Sequence, residues 1–249
     1  MGGKALTNHL KDIISYRQLH VLDETFVMNQ CKEDTCFVSQ NIDKDLEECK
    51  LNRSSNRIVC EYVLPDYTLT RRGFIRDIKN PGRIPVNLVK AVVPMSGISS
   101  TVNPKSDIIV DKDQVLAQQT IRMNNERFQV PELLFYPSDA SMNQIGISHS
   151  IIHSVENLES EIRSHLYNNI ILIGGNANLP GFKERIQSDL TSMVDSLYDV
   201  SVTLPDDPVT EPWNAGHFLT NTKDLYEKKS VSRSEYQEFG PASVIEKFE

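Results

Sequence analysis

The sequence predicts an α/β fold, and three observations carry the prediction. Apolar residues recur at helix spacing in several separate stretches, residues 170–173 form a short continuous apolar run of strand type, and the two kinds of pattern alternate along the chain rather than segregating.

The opening reads helical, because Leu6, Leu10, Ile13 and Ile14 recur at helix spacing, with Thr7 as the candidate cap. A second helix is expected over residues 23–37, capped by Asp23, with Phe26, Val27 and Cys31 on or near its buried side. Residues 57–64 are rich in β-branched and aromatic side chains and read as a strand; Pro65 and Asp66 then turn the chain, so that residues 67–70 return as the second strand of a hairpin. From 71 to 118 the pattern dissolves: Pro81, Pro85, Pro94 and Pro104 interrupt it, which predicts a long surface insertion. Order is expected to resume near Glu126. Ile147, Ile151, Ile152 and Val155 mark one helix, and Ile162 and Leu166 a second. The run at 170–173 suits a strand buried on both faces. It leads into Gly174 and Gly175, after which Pro180 stands where a first-turn proline opens the next helix, with Phe182, Ile186, Leu190, Met193 and Val194 in phase behind it. Val200, Val202 and Leu204 alternate as a further strand.

Composition narrows the function classes. A net charge of -8 argues against general nucleic-acid binding by the whole surface. No apolar run approaches the ~18 residues that span a bilayer, and Leu6 occupies the position where an N-myristoylation signal needs Ser or Thr. An intracellular soluble protein without membrane partners is therefore expected. Cys31 and Cys36 would point roughly 140° apart on a helix, poor geometry for a shared metal. With Cys49 and Cys60 they read as structural thiols in a reducing compartment. His149 and His153 share a helical spacing, but Ser150 stands where a zinc-protease motif needs glutamate, and no third ligand follows at a diagnostic spacing. No metal site is expected.

Two features suggest binding chemistry. Residues 171–182 (ILIGGNANLPGF) run from strand through paired glycines to helix, and backbone without Cβ atoms lets a flat ligand lie close. The crevice beyond a strand's C-terminal end is a common ligand site in α/β folds; a plain strand-to-helix turn is the alternative. The start of the insertion is locally basic in an acidic chain, with Arg71, Arg72, Arg76, Lys79, Arg83 and Lys90 against Asp77. It reads either as a solvated loop or as a contact for an acidic partner or a phosphate backbone.

Residues 3–10 (GKALTNHL), 32–38 (KEDTCFV), 126–138 (ERFQVPELLFYPS), 171–182 and 232–241 (SRSEYQEFGP) resemble, in this order, motifs of the C-terminal half of actin. Trp213 to Gly216 also resembles part of actin's last helices. Residues 62–67 (YVLPDY), Asp139 and 199–210 (DVSVTLPDDPVT) are most similar to a nuclear actin-related class, subunits of the remodeller that exchanges a core histone for its variant. The resemblance implies an actin-like α/β fold, of the superfamily shared with heat-shock chaperones and hexokinase, present as its C-terminal half with a long insertion. It implies a subdomain-4-like region over 1–137 with the insertion at about 71–118, a subdomain-3-like region over 138–210, and closing helices over 211–249. ATP or ADP would meet Lys32 and Glu33 at the ribose and adenine, with Gly174 and Gly175 as adenosine floor and Gly3 nearby. Asn178 and Leu179 stand where actin sets Met and Tyr against the base, and Val209 where it has a lysine, so a stacking ring and a cation are missing.

The phosphate loops and metal-organising acids of actin lie in the half that this sequence does not resemble. Phosphoryl transfer needs those parts, so no catalysis and no nucleotide binding by this chain alone are expected. The resemblance implies a docking subunit in the nucleus, with the cytoplasm as second compartment. Its partners would be remodeller subunits, histones or nucleosomal DNA. Self-polymerisation is not expected, because Asp139 and Ala140 replace an apolar loop tip. A filament-forming ATP-binding protein and a phosphotransferase of the same superfamily are the alternatives. Isolated, the chain is expected to expose unpaired strand edges and apolar faces.

Overall fold

The structure is a computed structural model that describes residues 1–52, 55–67, 70–77, 83–84, 108–109, 118–222, 226–228 and 230–248. The chain divides into two compact units, one made of Met1–Ile170 and Leu179–Val202, the other of Ile171–Asn178 and Thr203–Glu249. Helices and strands are mixed, as the α/β prediction requires.

In the first unit, helix α1 (Gly3–Arg17) buries Leu6, Leu10 and Ile14 completely, because residues one turn apart share a face. The predicted cap is corrected: Gly2 is the N-cap, and Thr7 lies inside the helix with its hydroxyl 3.0 Å from the Gly3 carbonyl. Helix α2 (Thr25–Thr35) is shorter than expected at both ends, its N-cap is Glu24 rather than Asp23, and Phe26 is 67% exposed while Val27, Met28 and Cys31 are buried. Helix α3 (Ile42–Cys49) is missing from the sequence reading; its apolar positions Ile42, Leu46 and Cys49 lie one helical turn apart on one face and are half-buried. Its start is set by the Asn41 side chain, which accepts from the Lys44 amide at 3.0 Å.

The strands are β1 (Cys60–Val63), β2 (Phe74–Ile75), β3 (Arg83–Ile84), β4 (Ile108–Ile109) and β5 (Thr120–Met123). β1 lies between β2 and β5 in an antiparallel sheet, with Tyr62 opposite Ile75 and Ile121. The hairpin's returning strand is Phe74–Ile75; of the expected strand at 67–70, Tyr67 and Thr70 are the described residues. Asp66 accepts the Thr70 amide at 2.9 Å, and Tyr67 donates its own to the Thr70 carbonyl at 2.9 Å. β3 and β4 pair antiparallel, which places ladder structure within the predicted insertion. β5 precedes Glu126, where the sequence reading places the return of regular structure.

Helix α4 (Glu126–Glu132) buries Phe128 and Val130. Helices α5 (Ile147–Glu156) and α6 (Ser160–Tyr167) lie where the periodicity puts them. Strand β6 (Ile170–Ile171) follows. Ile171 and Ile173 are 55% and 57% exposed while Leu172 is buried, so the apolar run has one buried face and not the expected two. Helix α7 (Phe182–Met193) opens at Gly181 with φ +83°, which leaves Pro180 ahead of the helix. The Pro180 carbonyl instead accepts the Val38 amide at 2.8 Å. A Cβ on Gly181 would come within 2.5 Å of the Val38 carbonyl oxygen, so the crossing itself selects glycine. In strand β7 (Val202–Thr203), the partnership with β6 is parallel: Ile170 donates to Ser201 in the first unit, and Leu172 to Thr203 in the second.

The second unit ends in helices α8 (Glu211–Asn221), α9 (Arg233–Phe239) and α10 (Pro241–Phe248). Ser232 and Glu235 form a reciprocal capping box on α9. Neither α8 nor α9 buries a residue, and Trp213 is 70% exposed.

Arg185 is the main polar anchor of the first unit. It donates to both Glu132 carboxylate oxygens (2.9 and 3.3 Å), to Asp189 Oδ1 (2.9 Å) and to the Ser39 carbonyl (2.8 Å), with its guanidinium 4.9 Å from the Phe135 ring centroid. Burial pushes the Glu132 carboxyl above its ordinary value, and the facing guanidinium opposes that shift. Removing one partner of a buried pair strands the other charge, so Arg185→Ala should lower unfolding free energy by about 3–5 kcal/mol in urea melts. Arg185→Lys should fail to restore it, since an ammonium cannot present this fork.

Cys31, Cys36 and Cys60 are buried and all four cysteines are free. Burial pushes the Cys36 thiol from 9.0 up to about 12, and Cys31 upward as well. Folding therefore favours neutral thiols, a contribution intact below pH 9 and lost as pH rises towards about 12. Between about pH 8 and pH 11 the parent chain should lose more stability than Cys36→Ala, and parallel pH slopes of the two would refute this.

Candidate functional site

Two of the sequence-selected residues, Gly3 and Lys32, meet at the start of α1. Gly3 opens that helix, and its carbonyl accepts from the Lys32 ammonium at 3.3 Å. Lys32 lies on α2, whose packing against α1 turns the side chain inward until only 5% of the residue is exposed. Its other two acceptors are Thr7 Oγ1 at 3.1 Å and Asn29 Oδ1 at 2.9 Å. An ammonium has three donors, and these three neutral oxygens occupy them. Burial lowers the Lys32 pKa, with the neighbouring Glu33 and then Cys36 opposing the shift. Glu33 is exposed and accepts from Asn29 Nδ2 at 2.7 Å. Asn29 thus links the Lys-Glu pair, a role that its spacing (three before Lys32, four before Glu33) could have signalled. Thr7, read from sequence as a cap, is the other residue of this cluster that sequence reasoning missed.

The glycine turn belongs to the other unit. Gly174 has φ +94°, a left-handed conformation in which a side chain is strained, and its amide donates to the Pro208 carbonyl at 2.7 Å. Gly175 opens a short 3-10 turn over Gly175–Asn178, and a Cβ at Gly174 or Gly175 would meet nothing within 4 Å. That is bare, open backbone, as required for a flat ligand to approach. Asn178 is exposed at the end of this turn and Val209 is exposed; Leu179 is buried in the first unit. No metal-ligand cluster of three or more His, Cys, Asp or Glu side chains occurs among the described residues.

The basic segment is partly consumed by the fold. Arg72 is forked onto Asp34, with Nη2 2.6 Å from Oδ1 and Nε 3.4 Å from Oδ2, and the Tyr62 hydroxyl donates to the same carboxylate at 3.1 Å. Arg76 pairs with Glu61 at 3.2 Å. Arg71 is exposed. The side chain of Arg83 lies outside the described set, where only its β3 backbone is included, and Lys79 and Lys90 lie outside the described residues.

Since the Thr7 hydroxyl completes the shell of a buried ammonium, Thr7→Val should destabilise the first unit by about 1.5–3 kcal/mol. Lys32 has a lowered folded pKa, so its burial penalty is largest below that pKa and is relieved as pH rises towards 10.5. The Thr7→Val deficit should accordingly narrow at alkaline pH; a deficit independent of pH would dissociate Thr7 from the Lys32 charge.

Comparison with known proteins agrees with this architecture. The chain is similar to Actin-related protein 6 of Oryza sativa subsp. indica, 35% identical over 252 residues that cover all of this chain and 57% of the relative. It is 35% identical over 250 residues to Actin-related protein 6 of Arabidopsis thaliana, covering all of this chain and 56% of that protein. With Actin-related protein 6 of Drosophila melanogaster the figure is 36% over 240 residues, 96% of this chain and 52% of the relative. The chain spans about half the length of these curated relatives. The Actin family model matches residues 1–249, and the chain belongs to the actin family.

Proposed function

We propose that this chain is part of a non-catalytic actin-related subunit of a nuclear chromatin-remodelling complex of the histone-variant-exchange type, acting as a docking scaffold with a partial adenine-nucleotide pocket. The observation that carries the non-catalytic reading is the state of Lys32: its donors are spent on Gly3, Thr7 and Asn29, so the cation braces α1 against α2. The open glycine backbone at 174–175 is compatible with a bound adenosine that adds stability without turnover, since a ligand held only by the folded state stabilises it through mass action. ATP or ADP is the nucleotide class. The relatives' shared name, Actin-related protein 6, supports the assignment to this class.

Docking is supported by the second unit, where α8 and α9 bury nothing although they carry Trp213, Phe218 and Phe239. Large exposed aromatic side chains are typical of surfaces awaiting a partner. The proposed partners are other remodeller subunits, with histones or nucleosomal DNA as further contacts of Arg71. The exposed Asp139 disfavours filament contacts at its loop. The compartment is the nucleus, with the cytoplasm as second location.

The test is affinity purification of the tagged chain from nuclear extract with subunits identified by mass spectrometry, beside an ATPase assay with Mg²⁺. Remodeller subunits should be recovered, Arg71→Glu should reduce the recovery several-fold, and phosphate release should equal the blank. Turnover above the blank, or an eluate free of remodeller subunits, would overturn the proposal.

A further inference from the structure

The three-stranded sheet of the first unit ends at β5, and a side chain covers the outer edge of that strand. Successive residues of a strand direct their N–H and C=O groups to alternate sides. The Gln119 carbonyl accepts the Leu64 amide at 2.9 Å, which turns it towards the strand that ends at Val63. By this alternation Thr120 and Arg122 present their backbone groups to the outer side. At Arg122 one side chain takes both groups: the amide donates to Gln18 Oε1 at 2.8 Å, and the carbonyl accepts from Gln18 Nε2 at 2.8 Å. Antiparallel strands exchange the same reciprocal pair of bonds. A carboxamide carries the donor and acceptor of a peptide group, so Gln18 stands in for one residue of a neighbouring strand. Asn124 lies on the same outer side, and its amide donates to Glu126 Oε2 at 2.9 Å. Glu126 is buried, and its other oxygen pairs with Arg17, the residue before Gln18. Two consecutive residues at the end of α1 thus close this edge, Gln18 directly and Arg17 by holding the carboxylate.

An edge strand is a template for pairing with another chain unless something blocks it. Gln18 and Arg122 are both exposed, so the block sits at the surface, where a second strand would approach. We propose that Gln18 is an edge guard, which keeps β5 from pairing with β5 of a second copy of this chain. The sequence of β5, Thr-Ile-Arg-Met, suits such self-pairing. In the antiparallel register centred on Ile121, Arg122 of one copy lies opposite Thr120 of the other. That register aligns the outward-facing groups of both residues as hydrogen-bonded pairs, and it sets no arginine opposite another. The Gln18 carboxamide occupies the bonding positions that this arrangement needs at Arg122. The device acts on the sheet alone and does not depend on nucleotide.

The test compares the full chain with Gln18→Ala and with Gln18→Ala/Arg122→Pro by sedimentation equilibrium, and follows hydrogen exchange of the Arg122 amide. Gln18→Ala should strengthen self-association by about fivefold or more, the effect of a backbone pair released to a new strand. In dilute solution its Arg122 amide should exchange faster than in the parent, and slow again as concentration rises. A proline at 122 removes the outward N–H and spares the ladder to β1, so the double variant should return to the parent's association. Should that proline disturb folding, the concentration dependence of Arg122 exchange decides alone. Association of Gln18→Ala no stronger than the parent's, or undiminished in a folded double variant, would overturn the proposal. An Arg122 amide that still exchanges fast at high concentration would assign the association to another surface and overturn it as well.

Discussion

The first unit depends on the Arg185 guanidinium, which ties α7 to the end of α4 through Glu132 and to the segment after α2 through the Ser39 carbonyl. Asp189, one turn further along α7, takes the third side of the fork and also accepts from Ser148 on α5 at 3.1 Å. A buried carbonyl such as that of Ser39 must find a donor, and a planar cation with five N–H groups can serve several acceptors at once. Arg127 repeats the device nearby: its Nε donates to the Thr35 carbonyl at 2.7 Å, its Nη1 to the Ile58 carbonyl, and its guanidinium faces the Phe37 ring. Two arginines thereby join helices and irregular segments that no sheet ladder links.

The same logic explains the use of Lys32. In a resemblance-based reading this lysine borders a nucleotide. In the structure it fills the gap between α1 and α2, and its ammonium, buried beside neutral oxygens, carries a lowered pKa. Desolvation makes the charge costly, while its hydrogen bonds recover part of that cost. Such a group joins α1 to α2 through Gly3, Thr7 and Asn29.

The second unit stands in contrast. Its terminal helices have regular backbone and good local signals, including a capping box and the stacked Trp213 and His217 rings on α8, yet α8 and α9 bury nothing. Short helices draw most of their stability from packing rather than propensity, and α8 and α9 receive little of it from the described residues.

The sequence by itself determined the fold class, the positions of α1, α5, α6 and α7, and the glycine turn at 174–175, because these rest on local periodicity and on backbone conformations that few residues adopt. Tertiary structure alone decided the partners of β1, Phe74–Ile75 on one side and Thr120–Met123 on the other. It decided that Arg72 and Arg76 face carboxylates on other segments, a fact without trace in a local charge count. It converted Thr7 from a cap into part of a buried shell. Local rules report what a segment prefers; which donor meets which acceptor is settled by segments distant in sequence, and burial makes that pairing energetically decisive.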